Sequence, residues 1–109
     1  MTPRHMTVTI VEDHDGADPL SVHGMGLWLP TIGPTATVLA QRLIQCGKAT
    51  RIMYATPLLA HSIGVKTSKM WYATRRLERY ELASIDDDNP DNPFVYLLDR
   101  WPEPPPRPS

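Results

Sequence analysis

The fourteen residues from Lys66 to Arg79, KTSKMWYATRRLER, bring five cations together with Thr67, Ser68 and Tyr72 against a single acid, Glu78. Ammonium groups neutralise phosphate as point charges, and guanidinium groups do so as planar forks. Forks and hydroxyls also bond the edges of nucleobases. The chemistry on offer is anion binding with polar readout rather than bond making. Lys48 lies on the approach to this stretch and adds to the same charge.

Other constellations are weaker. His5, His14 and His23 recur nine apart, with Asp13 and Asp15 flanking the middle one. That spacing matches neither the i, i+4 pair of a helical metal site nor a local clip, so no metal and no cofactor is expected. Asp86, Asp87, Asp88 and Asp91 resemble a calcium loop faintly, but the required Gly and terminal bidentate Glu are missing, and a solvated hairpin tip fits better. Cys46 is a lone cysteine on an apolar stripe, expected to be a buried thiol. Without paired carboxylates, a nucleophile elbow or a phosphate-cradling Gly loop, no catalytic residue is assigned and the chain is not expected to be an enzyme.

Net charge is −1 and the sequence pI about 6.4, which taken whole disfavours a dedicated nucleic-acid binder. The distribution matters more. Arg4 and Arg42 against Glu12, Asp13, Asp15 and Asp18 leave the first 46 residues at −2, and two arginines against seven acids leave residues 81–109 at −5. Between them Lys48, Arg51, Lys66, Lys69, Arg75, Arg76 and Arg79 against Glu78 give +6. Positive charge is thus concentrated where the candidate contacts lie.

To present those contacts the chain needs a helix, a turn and a second helix. Thr56 reads as an N-cap with Pro57 at the first helical position, and Leu58 to Ile63 as a short helix. Gly64 stands where the reversing chain needs positive φ. Thr67 or Ser68 then caps a helix running to about Tyr80. At about 100° per residue, Met70, Ala73, Thr74 and Leu77 share the core side. Ser68, Tyr72, Arg75 and Arg79 share the other, flanked by Lys69, Arg76 and Trp71. Trp71 and Tyr80 read as packing residues.

The stretch from Thr56 to Arg75 resembles the helix-turn-helix DNA-binding proteins. Their pattern wants a small residue fifth and Gly ninth, here Ala60 and Gly64. It wants apolar residues fourth, eighth, tenth, fifteenth and eighteenth, here Leu59, Ile63, Val65, Met70 and Ala73. Leu82 to Leu98 looks like the two-stranded wing of the winged-helix subclass: a β-prone segment, a polar loop from Asp86 to Pro93, and the return FVYLL. The opening WLPTIGPTATVLAQRL is similar to small winged-helix proteins of high-GC bacteria and their phages, and the likeness spans roughly residues 27–98. Two places depart from the family. Glu81 stands where Gly is frequent after the recognition helix, and the wing tip is acidic where Arg or Lys is usual. Four carboxylates would be repelled by phosphates, so the tip is expected to point away from DNA or to meet a partner.

The fold class expected is therefore α+β, mainly helical: a winged helix-turn-helix with three helices and a small antiparallel wing. Residues 1–26 read as an N-terminal arm with one short strand near Val8 to Val11, the first seven residues being mobile. Residues 27–100 read as the winged helix-turn-helix domain, and residues 101–109 as a proline-rich tail in polyproline II, with Trp101 docked on the domain. Leu20 to Ile32, punctuated by Gly24, Gly26 and Pro30, reads as extended and anchored by Trp28. From Pro34 a supporting helix runs to Gly47, with Ala36, Leu39, Leu43 and Cys46 on one stripe. Val38 and Ile44 lie off that stripe, and either a homodimer face or the packed arm would cover them, the second being more economical. Arg51 to Tyr54 would be the strand that pairs beside the wing.

The resemblance implies sequence-specific binding of double-stranded DNA by a transcriptional regulator. Lys48, Lys66, Lys69 and Arg76 would contact phosphates, Thr67 would stand at the helix start, and Ser68, Tyr72, Arg75 and Arg79 would lie nearest base edges. The rival is a winged-helix module for protein contact, working through the acidic wing and the proline tail. No apolar run reaches about 18 residues and no signal-peptide pattern appears, so a cytoplasmic protein away from membranes is expected.

Overall fold

The computed structural model describes residues 2–12, 15–47 and 51–104. Along the chain the elements are β1 (His5–Val11), α1 (Val22–Gly47), β2 (Arg51–Ala55), α2 (Thr56–Ser62), α3 (Thr67–Arg79), β3 (Ala83–Asp86) and β4 (Phe94–Leu98). The fold is α+β, with three helices on a four-stranded mixed sheet of order β2-β1-β4-β3. Alternation sets the buried face of the sheet: Met6, Val8 and Ile10 of β1 and Val95 and Leu97 of β4 point into the core. Against them pack Leu39 and Leu43 of α1, Leu59 of α2, and Met70 and Leu77 of α3.

The segment read as an arm supplies one of the two inner strands of the sheet. β1 pairs antiparallel with β2, His5 opposite Ala55, and parallel with β4, Val8 opposite Val95. It therefore separates β2 from the hairpin, and β2 does not pair beside the wing as expected. Residues 5–7 are strand rather than mobile, with Met6 and Thr7 buried. The hairpin itself forms as read, Ala83 opposite Leu97 and Asp86 opposite Phe94.

Leu20 to Ile32 is not extended. From Val22 it is helix, capped by the Ser21 hydroxyl, which accepts from the Gly24 N–H at 2.9 Å. Trp28 and Ile32 recur one turn apart and are both buried, and their packing outweighs the helix-weakening Gly24, Gly26 and Pro30. Gly33, at φ 85° and ψ 168°, interrupts α1, and Pro34 restarts it as expected. Ala36, Leu39, Leu43 and Ile44 are buried on this second half, Val38 is exposed, and Cys46 is exposed rather than buried.

Trp101 closes the core. Its ring meets Trp28 edge to face at 6.0 Å, its indole N–H donates to the Leu98 carbonyl at 2.8 Å, and its backbone bridges to Ala17. The Trp28 indole donates in turn to the Pro102 carbonyl at 2.7 Å. Of the tail read as polyproline II, residues 101–109, residues 105–109 lie outside the described residues.

Candidate nucleic-acid interface

Two helix ends of the same kind position α3. After α2, Gly64 takes φ 77°, its N–H donates to the His61 carbonyl at 3.0 Å, and the Val65 N–H donates to Ala60 at 3.1 Å. After α3, Glu81 takes φ 62°, its N–H donates to Glu78 at 3.0 Å, and the Leu82 N–H donates to Leu77 at 3.0 Å. Both are Schellman ends, with a left-handed residue turning the chain and satisfying the last carbonyls. One uses glycine; the other holds a glutamate where a side chain costs about 1 kcal/mol. The first lets α3 pack across α2, and the second launches the hairpin.

The starts differ from expectation. Thr56 does not cap α2, because its hydroxyl donates to the Pro3 and Arg4 carbonyls and ties the helix to the strand entry. Neither Thr67 nor Ser68 caps α3: Lys66 is the boundary residue and makes no side-chain cap. The wheel holds nonetheless. Met70, Ala73, Thr74 and Leu77 are buried, while Lys66, Ser68, Lys69, Tyr72, Arg76 and Arg79 are exposed and Thr67 is half-buried. Tyr72 is 77% exposed. Trp71 and Tyr80 pack partly into the core, Tyr80 edge to face with Trp28 at 6.2 Å.

Arg75 is not free, as a base-reading arginine would be. Its Nη2 donates to both carboxylate oxygens of Asp87, at 2.9 and 3.0 Å, and its Nη1 to Glu78 at 3.0 Å. The guanidinium also lies 4.9 Å from the centre of the Trp71 ring. Partial burial alone would lower its basicity, but the hydrogen bonds to Asp87 and Glu78 outweigh that and hold it above the usual arginine value. The acidic hairpin tip thus neither points away nor waits for a partner at Asp87; it folds onto α3.

Arg76 is also employed. Its Nη2 donates to the Thr31 carbonyl at 3.1 Å, serving an acceptor orphaned where Gly33 breaks α1. Lys66, Lys69 and Arg79 have no ion pair among the described residues. Lys48 lies outside the described residues, as do His14 and Asp13. Among the described residues no group of His, Cys, Asp and Glu is arranged to hold a metal.

Sequence reasoning missed the cleft between the break in α1 and the outer side of α3. It measures about 370 Å³ and is lined by Pro34 and Thr35 on one wall and by Lys69, Tyr72, Arg75, Arg76 and Arg79 on the other. Among the described residues no carboxylate lines it. Gly33 followed by Pro34 was the signal for it, since a glycine before a helix-starting proline leaves the preceding helix open to end there.

No protein-family model and no curated protein matches this chain. Among solved structures it is similar to primosome protein DnaB (residues 1–300) from Geobacillus stearothermophilus, with 16% identity and a TM-score of 0.64. The match covers 99% of this chain and 40% of that one, so the chain spans less than half the length of its structural neighbour. At that identity the likeness is one of fold. Among the described residues no helix is long and apolar enough to cross a membrane.

Proposed function

We propose that this chain is a winged helix-turn-helix domain that binds double-stranded DNA through the exposed face of α3, in a regulatory role. The supporting observation is the electrostatics of that face. Lys66, Lys69 and Arg79 stand exposed without ion pairs among the described residues, around an exposed Tyr72, while Glu78 and Asp87 are spent on Arg75. Lys66, Lys69 and Arg76 suit phosphates, and Ser68, Tyr72 and Arg79 suit base edges, with Arg75 joining them only after leaving Asp87. The pairing of β3 and β4 directly after α3 supports the wing, and the structural neighbour, a primosome protein, is in keeping with work on nucleic acid.

The test is anisotropy of a labelled random-sequence duplex, titrated from about 50 mM salt upward. Binding whose log affinity falls by about 0.9 per contacted phosphate supports the reading. Selection from a random pool then reports sequence preference and half-site symmetry. Absence of binding at the lowest salt would transfer the α3 face to protein contact, with the acidic hairpin as the second surface.

A further inference from the structure

A helix lying in a major groove makes contact by its convex side, yet the cations of α3 also border a concavity. At about 370 Å³ the cleft falls in the range of pockets that take small organic groups, roughly 300–1,000 Å³, and it is far too narrow for a duplex. Among the described residues its lining is net positive, with Lys69, Arg75, Arg76 and Arg79 and no acid, Arg75 being already paired with Glu78 and Asp87. Pro34 is the exposed apolar residue of the opposite wall, next to Thr35. Tyr72 stands beside them at 77% exposure, without a ring contact among the described residues. A cationic groove with a free aromatic ring is how proteins hold single strands: the charges follow the backbone and the ring stacks on a base. Inside a duplex each base is already covered on both faces by its neighbours. Only an unpaired base, or one at an end, can offer a face to Tyr72.

Resting on α3 as a nucleic-acid-binding face, we infer that the cleft seats one unpaired nucleotide, its phosphate among Lys69, Arg76 and Arg79 and its base on Tyr72. The preferred ligand is then a duplex carrying a single-stranded extension rather than a closed duplex. Pro34 on the opposite wall gives the base its second surface. Arg76 keeps its bond to the Thr31 carbonyl and turns its remaining donors to the phosphate, so seating the nucleotide does not reopen the break in α1.

The full chain would be titrated with three labelled ligands of one sequence: a blunt duplex, the same duplex with a short thymidine overhang, and that overhang with its bases removed but every phosphate kept. The overhang should bind about tenfold more tightly than the blunt duplex, the size expected of one stacked base. The abasic overhang should fall back toward the blunt value. Tyr72→Phe should keep the ratio of overhang to blunt affinity and Tyr72→Ala should abolish it. Taking the ratio removes any loss Tyr72→Ala causes in groove contacts. With 2-aminopurine in the overhang, quenching on binding should accompany the wild type and Tyr72→Phe only. Blunt duplex bound as tightly as the overhang would overturn the inference and leave duplex binding standing. An abasic overhang bound as tightly as the intact one would overturn the base seat. Failure of every ligand to bind would overturn both the inference and the function on which it rests.

Discussion

The Asp87 carboxylate receives the Arg75 guanidinium through both of its oxygens, 2.9 and 3.0 Å from Nη2, so the hairpin tip and the outer face of α3 are held together by charge. A carboxylate there occupies the place a phosphate or guanine edge would take, and the cation most central to α3 is compensated before any ligand arrives. Such a pair is partly exposed, 38% and 51% for the two side chains, and pairs of this kind contribute about 0.2–1 kcal/mol. The contact is weak enough to be exchanged.

Asp87→Asn should therefore release Arg75 and tighten duplex binding by up to about fivefold, the factor that corresponds to 1 kcal/mol. The salt dependence should steepen by about 0.9 in log slope as one more phosphate is contacted. Anisotropy titrations across salt read both. A fall in affinity would mean instead that Asp87 holds Arg75 in its binding posture. Because its hydrogen bonds to Asp87 and Glu78 hold Arg75 above its usual value, its own loss of charge weakens this contact only as pH climbs through that already high range.

Arg79→Ala removes an exposed cation that has no ion pair among the described residues, so folding should be unaffected within about 0.5 kcal/mol. Duplex affinity should drop and its salt slope should flatten by about 0.9 if the lost partner is a phosphate. A urea midpoint matching that of the parent, together with unchanged DNA binding, would remove Arg79 from the interface.

The two Schellman ends predict opposite signs for opposite substitutions. Glu81→Gly relieves a side chain held at φ 62° and should stabilise by about 0.5–1 kcal/mol, whereas Gly64→Ala imposes the same strain at φ 77° and should cost about 1 kcal/mol or more. Paired urea denaturations decide it. Equal signs would show that local backbone strain does not set these helix ends.

Tyr54 carries a buried hydroxyl without a hydrogen-bond partner among the described residues. Burial raises its phenol above the ordinary value, the nearby Cys46 adds to this, and Arg42 opposes it. Tyr54→Phe should raise stability by about 1 kcal/mol near neutral pH, since an unsatisfied buried group costs about 1–3 kcal/mol. The sign with pH follows from the raised value. The folded state holds its proton longer than the unfolded chain, so the parent loses stability as pH rises through the tyrosine range and Tyr54→Phe is spared that part. Thermal melts at neutral and alkaline pH would show the gap widening.

Trp101→Ala empties a site that is 1% exposed and removes the ring between Trp28 and the end of β4, for a cost of about 3–5 kcal/mol. A domain of this size has about 5–15 kcal/mol in all. The expected outcome is a large drop in urea midpoint, and a change under 1 kcal/mol would show that the core closes without the tail.

Much of this protein is local and was legible. Gly64 after Leu59, Ala60 and Ile63 marks a helix end from local sequence, because glycine reaches positive φ without the steric cost other residues meet. Met70, Ala73, Thr74 and Leu77 recur at the helical period and are buried, and FVYLL after an Asp- and Pro-rich loop returns as a strand. The extended reading of Leu20 to Ile32 rested on Gly24, Gly26 and Pro30, and the Ser21 cap of α1 went unread.

What remained hidden depends on groups brought together from far apart in the chain. Parallel pairing of Val8 with Val95 leaves no turn signature, because nothing adjacent in sequence links the partners. Arg75 and Asp87 lie on separate elements, and only the hairpin's return over α3 turns two solvated charges into a pair. The cleft likewise needs Gly33 to break α1 at the level of Tyr72 and Arg76. Residue type and period determined which side of α3 faces water; tertiary packing decided how many of its cations were left to meet a ligand, because charge compensation acts through space and not along the chain.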